Sequence, residues 1–287
     1  MSLDDIPESS SLVLLPEETD ARPPALTIDA TIVRHQHAAD RYWRLELLAP
    51  TVARTVQPGQ FVMITPARPS ETWPILPRPM AVYDADAEAG TITILYGVVG
   101  AGTRHLRDFA SGESLPTVGP LGRPFSLPPT ARSLLVLGRG IGSCSLTLLA
   151  ASAQRAGARV TVVASGRSPE ATIAGDFYRS HGITPIEVYD SDGSSDPVAL
   201  RAALAEREPV ADVIAVCGSR RLTRLAHELG TASGAEVQVS LEAHMACGLG
   251  YCHGCSTGSR TALAEAPLIC RDGPVFRLGE RSGSVHA

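Results

Sequence analysis

Cys247, Cys252, Cys255 and Cys270 are separated by four, two and fourteen residues. Three thiolates from one tight loop and a fourth from a later segment form the plant-type spacing of a two-iron two-sulfur ligand set. One-electron transfer is the chemistry such a set supports. Gly248, Gly250 and Gly254 lie between the ligands, where missing side chains let the backbone curl around inorganic sulfide and aim N–H groups at it. A pair of disulfides or one structural zinc ion are the alternatives that four cysteines leave open. Cys144 and Cys217 stand outside the set, each in an apolar stretch, and read as small buried residues. His253 lies inside the loop, but the cysteines complete the set without it, so it reads as an exposed or supporting histidine.

A second chemical signal is LLVLGRGIG, which runs an apolar strand over residues 134–137 into Gly138, Gly140 and Gly142. A helical stretch, SLTLLAASAQRAG, follows and ends at Gly157. Glycines let a backbone approach a pyrophosphate, and the unpaired N–H groups and dipole of a first helical turn favour an anion. Close packing alone also uses such turns, so by itself the signal is weak. The spacing departs from Gly-x-Gly-x-x-Gly because Ser143, Cys144 and Ser145 follow Gly142.

These residues need elements to hold them. Residues 30–34, 42–47, 61–65, 81–83 and 91–98 are rich in β-branched and aromatic side chains and are divided by turn signals. They predict a small antiparallel barrel over 26–130. Further strands at 159–164, 186–189 and 212–217 alternate with helical stretches, which predicts a parallel α/β sheet over 131–240 with the glycine turn at the carboxyl end of its first strand. The expected fold is therefore multidomain, β plus α/β: barrel, nucleotide-binding domain, and a cluster segment over 241–287. Residues 1–25 are polar, acidic and proline-bearing apart from Leu12 to Leu15, and read as a mobile extension or a strap laid on a neighbour.

The chain has 287 residues, 44% of them hydrophobic, which suffices for two domains and a small appendage. A net charge of -5 argues against nucleic acid as partner. No apolar run approaches the length of a membrane helix, and the acidic N-terminus does not read as a signal peptide. With free thiols required, the cytoplasm is the expected compartment. Glu242 and His244 read as packing or hydrogen-bonding residues, and Asp190, Asp192 and Asp196 as a solvated loop. Nothing resembles a nucleophile with a paired base.

RPMAVYD at 78–84, ILYGVVGAGTRHL at 94–106, GPLGRPF at 119–125, GRGIG at 138–142, and SLEAHMACGLGYCHGC followed by ICRDGPVF occur in that order. Together they resemble the electron-transfer subunits of type B dihydroorotate dehydrogenases, within the wider ferredoxin-reductase-like group. The resemblance covers about residues 28 to 278 and is most specific in the cluster segment. It implies FAD on the barrel, with Arg78 at the pyrophosphate, Pro79, Met80 and Ala81 along the isoalloxazine, and Leu95, Tyr96 and Gly97 as a second flavin segment. Gly102 and Thr103 would offer donors to phosphate, and Gly138, Gly140 and Gly142 would meet NAD, with NADP left open.

The same resemblance implies that an FMN-containing catalytic subunit is the partner, in a heterotetramer of pyrimidine biosynthesis. Electrons would pass from dihydroorotate through FMN, cluster and FAD to NAD. A flavin must stand between a nicotinamide, which exchanges electrons in pairs, and a cluster, which takes them singly. Three residues depart from the family pattern: Ala81 for serine or threonine, Gly97 for arginine, and Arg139 within a run of glycines. These keep a second reading open, a reductase component serving a different redox partner. A nonredox protein with a vestigial fold is disfavoured by the intact cysteine set.

Overall fold

The computed structural model describes residues 12–15, 24–206, 211–258 and 266–280. A short strand β1 (Leu12–Leu15) comes first, followed by the barrel strands β2 (Leu26–Ala39), β3 (Tyr42–Leu48), β4 (Phe61–Ile64), β5 (Arg78–Asp86), β6 (Thr91–Gly97) and β7 (Ser114–Leu121). The barrel closes in the order β2-β3-β6-β5-β4-β7, with antiparallel neighbours throughout. Helices α1 (Pro50–Thr55) and α2 (Ala101–Arg107) lie in its connections. Alternation along the strands divides the faces: Leu45, Leu47, Ile92, Ile94 and Tyr96 fill the interior, while Leu95 points outward yet stays buried, because the second domain covers it.

Strand β7 escapes a reading by composition because SLPTVGPL carries two prolines and a glycine, which usually argue against a paired strand. The barrel accommodates Pro116 by using its carbonyl, which accepts from Thr65 N–H at 2.9 Å. Strands β2 and β5 also extend well past their most β-prone cores.

The second domain comprises β8 (Ser133–Arg139), α3 (Thr147–Arg155), β9 (Arg159–Gly166), α4 (Gly175–Ser180), β10 (Ile186–Tyr189), α5 (Pro197–Ala205), β11 (Val213–Cys217), α6 (Arg220–Ser233) and β12 (Glu236–Ser240). After the cluster loop come α7 (Ile269–Asp272) and β13 (Val275–Glu280). The sheet order is β1-β13-β12-β11-β8-β9-β10. Strands β8 to β12 run parallel, and β13 and β1 add an antiparallel margin. The sheet is therefore mixed at one side, and Leu12 to Leu15 form a strand on this chain's own sheet. The remainder of residues 1–25, and residues 281–287, lie outside the described residues.

The order of the parallel strands reverses between β8 and β11, which creates a crevice at their carboxyl ends. A 3-10 turn, Gly140–Ser145, occupies the end of β8 before α3 begins.

Two buried contacts set the domains against each other. Thr147 Oγ1, at the start of α3, donates to Tyr83 O of β5 at 2.5 Å. Gln238 of β12 is fully buried; its Oε1 accepts from Ser126 N–H at 2.9 Å, and its Nε2 donates to Ser126 O at 2.7 Å. That amide clamps the interdomain linker to the sheet. Gln238→Leu removes both bonds from the half-buried backbone groups of Ser126, each worth about 1–3 kcal/mol when left unmade. We expect a loss of about 2–4 kcal/mol in urea unfolding followed by circular dichroism.

Candidate redox site

Arg78 begins β5, and its guanidinium lies across Gly102 in the first turn of α2, where a Cβ would collide with it. Its Nη1 donates to Leu76 O at 2.6 Å and to Pro77 O at 3.3 Å. No acceptor among the described residues takes its Nε or Nη2. Two fork donors therefore remain for a phosphate beside the first N–H groups of α2. Thr103 does not offer its hydroxyl proton outward: Oγ1 donates to Gly100 O at 3.1 Å and accepts from Val99 and Gly100 N–H. Its contribution to an anion there is through the backbone. Ile75 and Leu76, just before Arg78 in sequence, and Val99, just before α2, are exposed apolar residues.

The flavin-motif residues split between two faces. Met80 and Tyr96 point into the barrel core, and Tyr96 OH bonds His35 Nε2 at 2.8 Å. Only their backbones can face a ligand outside. Pro79 and Ala81 pair directly with Met63 and Phe61 of β4, so all four side chains share the outer face. On β6, Leu95 and Gly97 also face outward, opposite Arg44 and Tyr42 of β3. Arg44 Nε is buried there without a hydrogen-bond partner among the described residues, and the guanidinium lies 5.7 Å from the Tyr83 ring centre.

The glycine turn meets this face from the other domain. A Cβ on Gly140 would lie 3.8 Å from Tyr42 OH, with nothing nearer. Gly142 abuts the turn after β11, where a Cβ would come within 2.6 Å of Gly218 Cα. Gly138 is closed over by Ser143, whose Oγ would lie 2.6 Å from a Cβ. The turn at Cys217 and Gly218 thus belongs to the same crevice, although composition alone draws attention only to the first glycine turn. Its local signal is a strand ending in glycine before Ser219, which caps α6 by accepting from Leu222 N–H at 3.2 Å.

Asp190 is an exposed loop residue as expected, and it also receives Arg139 and Arg221 together. Asp196 instead caps α5, accepting from Val198 N–H at 2.9 Å. Cys144 and Cys217 are buried as expected, and burial pushes the Cys217 thiol up to about 12. His253, Glu242 and His244 are exposed.

The four cysteines of the C-terminal segment fall into two pairs. Cys247 lies beside Cys252, and Cys255 beside Cys270. Backbone N–H groups are aimed at the sulfurs: Leu249 N–H at Cys247 Sγ and Cys270 N–H at Cys255 Sγ, both at 3.4 Å. For Cys247, burial opposes ionisation, but N–H groups of Cys252, Leu249 and Tyr251 outweigh it and bring the thiol to about 7. The Cys270 thiol brings Cys255 to about 6, and the shared proton raises Cys270 itself. Among the described residues no three His, Cys, Asp or Glu side chains gather around one point. Two thiol pairs with N–H donors aimed at them have the chemistry to hold a two-iron cluster, in which each pair would serve one iron.

The cluster loop is seated on the barrel. Gly248 has φ of 70°, and a Cβ there would come within 2.5 Å of Met63 Cγ. Met63 is the cross-strand partner of Pro79. The loop therefore rests beside the outward face of the flavin motif, about one strand spacing, ~4.8 Å, from β5.

A barrel bearing this motif, a doubly wound sheet and a two-pair cysteine loop define a flavin- and iron–sulfur-dependent, NAD-linked oxidoreductase of the ferredoxin-reductase-like class. The family model described as the iron-sulfur cluster binding domain of dihydroorotate dehydrogenase B matches residues 242–280. The dihydroorotate dehydrogenase B (NAD(+)) electron transfer subunit of Geobacillus thermodenitrificans is 34% identical over 259 residues, covering 87% of this chain and 96% of that protein. The subunit of the same name from Listeria innocua is 30% identical, covering 90% and 99%. The chain belongs to this family of electron transfer subunits. Among solved structures, an NADH-dependent reduced ferredoxin-NADP oxidoreductase of flavin-based electron bifurcation superposes with a TM-score of 0.72 at 25% identity, covering 87% of this chain and 88% of that one. Phthalate dioxygenase reductase shares the fold at a TM-score of 0.58 and 18% identity, covering 76% and 70%. No helix among the described residues is long and apolar enough to cross a membrane.

Anaerobically purified protein should carry about two irons and two acid-labile sulfides per chain, and Cys252→Ser should lose them; stoichiometric zinc without sulfide is the contrary result. Gly248→Ala, strained in backbone and forced against Met63, should lower cluster content while FAD, read as released flavin, stays bound.

Proposed function

We propose that this chain carries electrons between an FMN-containing dehydrogenase acting on dihydroorotate and NAD, as the cytoplasmic partner in a heterotetramer. The observation that carries the reading is the seating of Gly248 on Met63, directly across from Pro79, which sets the cluster loop beside the flavin face. Bound together, FAD and the cluster supply the conversion between paired and single electrons.

In this reading the residues divide the work by position. Arg78 and the backbone of Gly102 and Thr103 hold the FAD pyrophosphate. Pro79 and Ala81 line the flavin with side chains, while Met80, Leu95, Tyr96 and Gly97 serve through their backbones. Gly140 admits the nicotinamide dinucleotide to the crevice opposite Tyr42, and Gly138 and Gly142 shape the turn by packing against Ser143 and Gly218. Cys247, Cys252, Cys255 and Cys270 hold the cluster. Divisions at residues 25, 130 and 240 separate extension, barrel, nucleotide domain and cluster segment; β13 anchors the last of these to the nucleotide sheet. Leu249 and Tyr251 are exposed on the cluster loop, which suits a face covered by the partner.

Arg78→Ala should lower FAD affinity about ten- to a hundredfold, since a charge-assisted contact is worth roughly 1.5–3 kcal/mol, while iron content is unchanged. The purified chain should oxidise NADH with artificial acceptors and show no dihydroorotate oxidation until an FMN subunit is added. Dihydroorotate turnover by the single chain overturns this division of labour. Copurification with a different redox enzyme points to the reductase-component reading.

A further inference from the structure

Arg139 sits between Gly138 and Gly140 at the carboxyl end of β8, where its backbone carbonyl presses against Gly218. Its Nη1 donates to Ser165 Oγ at 2.9 Å, at the end of β9, and to Asp190 Oδ1 at 3.2 Å, just past β10. Its Nη2 donates to Asp190 Oδ2 at 2.5 Å. Arg221, in the first turn of α6, reaches the same Oδ1 at 2.9 Å, and Ser195 Oγ donates there as well.

In the sheet order β10-β9-β8-β11, these bonds tie the end of β10 to the start of α6 across the carboxyl ends of the strands between them. They bridge the crevice at which open α/β sheets bind their ligands. Two guanidinium groups share a single carboxylate, so the bridge keeps a net positive charge over that crevice. The carboxylate is held well below its usual range, first by Arg139 and then by the Ser195 hydroxyl, and stays ionised at neutral pH.

We propose that Arg139 and Arg221 are the phosphate-binding cations of the dinucleotide site, and that Asp190 holds them until the dinucleotide pyrophosphate takes its place. The inference rests on the reading of the glycine turn as a nicotinamide dinucleotide site. A pyrophosphate diester offers two negative charges where Asp190 offers one, and a guanidinium fork accepts either partner in the same bidentate geometry. The Arg139 side chain is only 17% exposed and keeps Ser165 as a second anchor, whereas Asp190 and Arg221 are 37% and 48% exposed and can part without opening the core. An arginine in a turn otherwise built of glycines thereby becomes a ligand for phosphate. It does not obstruct the approach.

The test is calorimetric titration of the anaerobic full chain, FAD and cluster in place, with NAD+, and with inorganic pyrophosphate as competitor. Arg139→Ala and Arg221→Ala should each weaken NAD+ binding about tenfold or more. Asp190→Asn should tighten it several-fold, and pyrophosphate should displace NAD+ from the wild type. Unchanged or tighter binding in the arginine variants overturns the exchange, as does weaker binding in Asp190→Asn with flavin and cluster spectra intact. If Asp190→Asn does not retain its cofactors, Arg221→Ala decides, because its half-exposed side chain leaves the core undisturbed. A wild type that binds neither NAD+ nor NADP+ overturns the nucleotide-site reading itself, whereas normal wild-type binding with indifferent variants overturns only the exchange.

Discussion

The packing of Gly248 on Met63 is the contact on which the position of the cysteine loop, and with it the proposed electron route, depends. A cluster loop is a small, backbone-rich structure with little core of its own, so its position is borrowed from whatever it packs against. Here it borrows the outer face of β4. Directly opposite residues of antiparallel strands share a face, so the same pairing that aims Met63 at the loop aims Pro79 beside it. A one-residue slip of β5 against β4 would turn Pro79 and Ala81 into the barrel and separate the flavin motif from the cluster.

The nucleotide crevice depends on a different kind of contact. Polar groups buried at the domain boundary are directional, and they hold the second domain in one orientation where apolar packing alone would tolerate several. Gln238 grips both backbone groups of Ser126, and Thr147 bonds the Tyr83 carbonyl. Tyr83 also meets Phe177 edge-on at 5.0 Å. The result is that Gly140 faces Tyr42 across the boundary, which in the proposed reading brings a dinucleotide in the crevice towards a flavin on the barrel.

Charge is concentrated where anions are to be handled. Arg78 keeps two fork donors for a phosphate, and the bridge of Arg139, Asp190 and Arg221 leaves positive charge over the switch point, although the chain as a whole is acidic at -5. The cluster loop presents Leu249 and Tyr251 instead, an apolar surface suited to a protein partner.

The iron–sulfur chemistry was legible in the sequence because the four cysteines lie close together at a spacing that such a cluster imposes. The glycine turn was legible for the same reason, since a strand feeding a helix through glycines is local. Strands β7, β12 and β13 were not, because prolines, a buried glutamine and isolation beyond the cluster loop mask their pattern; each is a strand through its neighbours' hydrogen bonds and not through propensity. Nor could composition show that Met80 and Tyr96 point inward while Pro79 and Leu95 point outward, since that depends on register. The joining of Arg139 to Asp190 and Arg221, far apart in the chain, exists only once the parallel strands bring their carboxyl ends together. Residue types determined which chemistry this protein carries; the pairing of strands and the clamp between domains decided which groups meet.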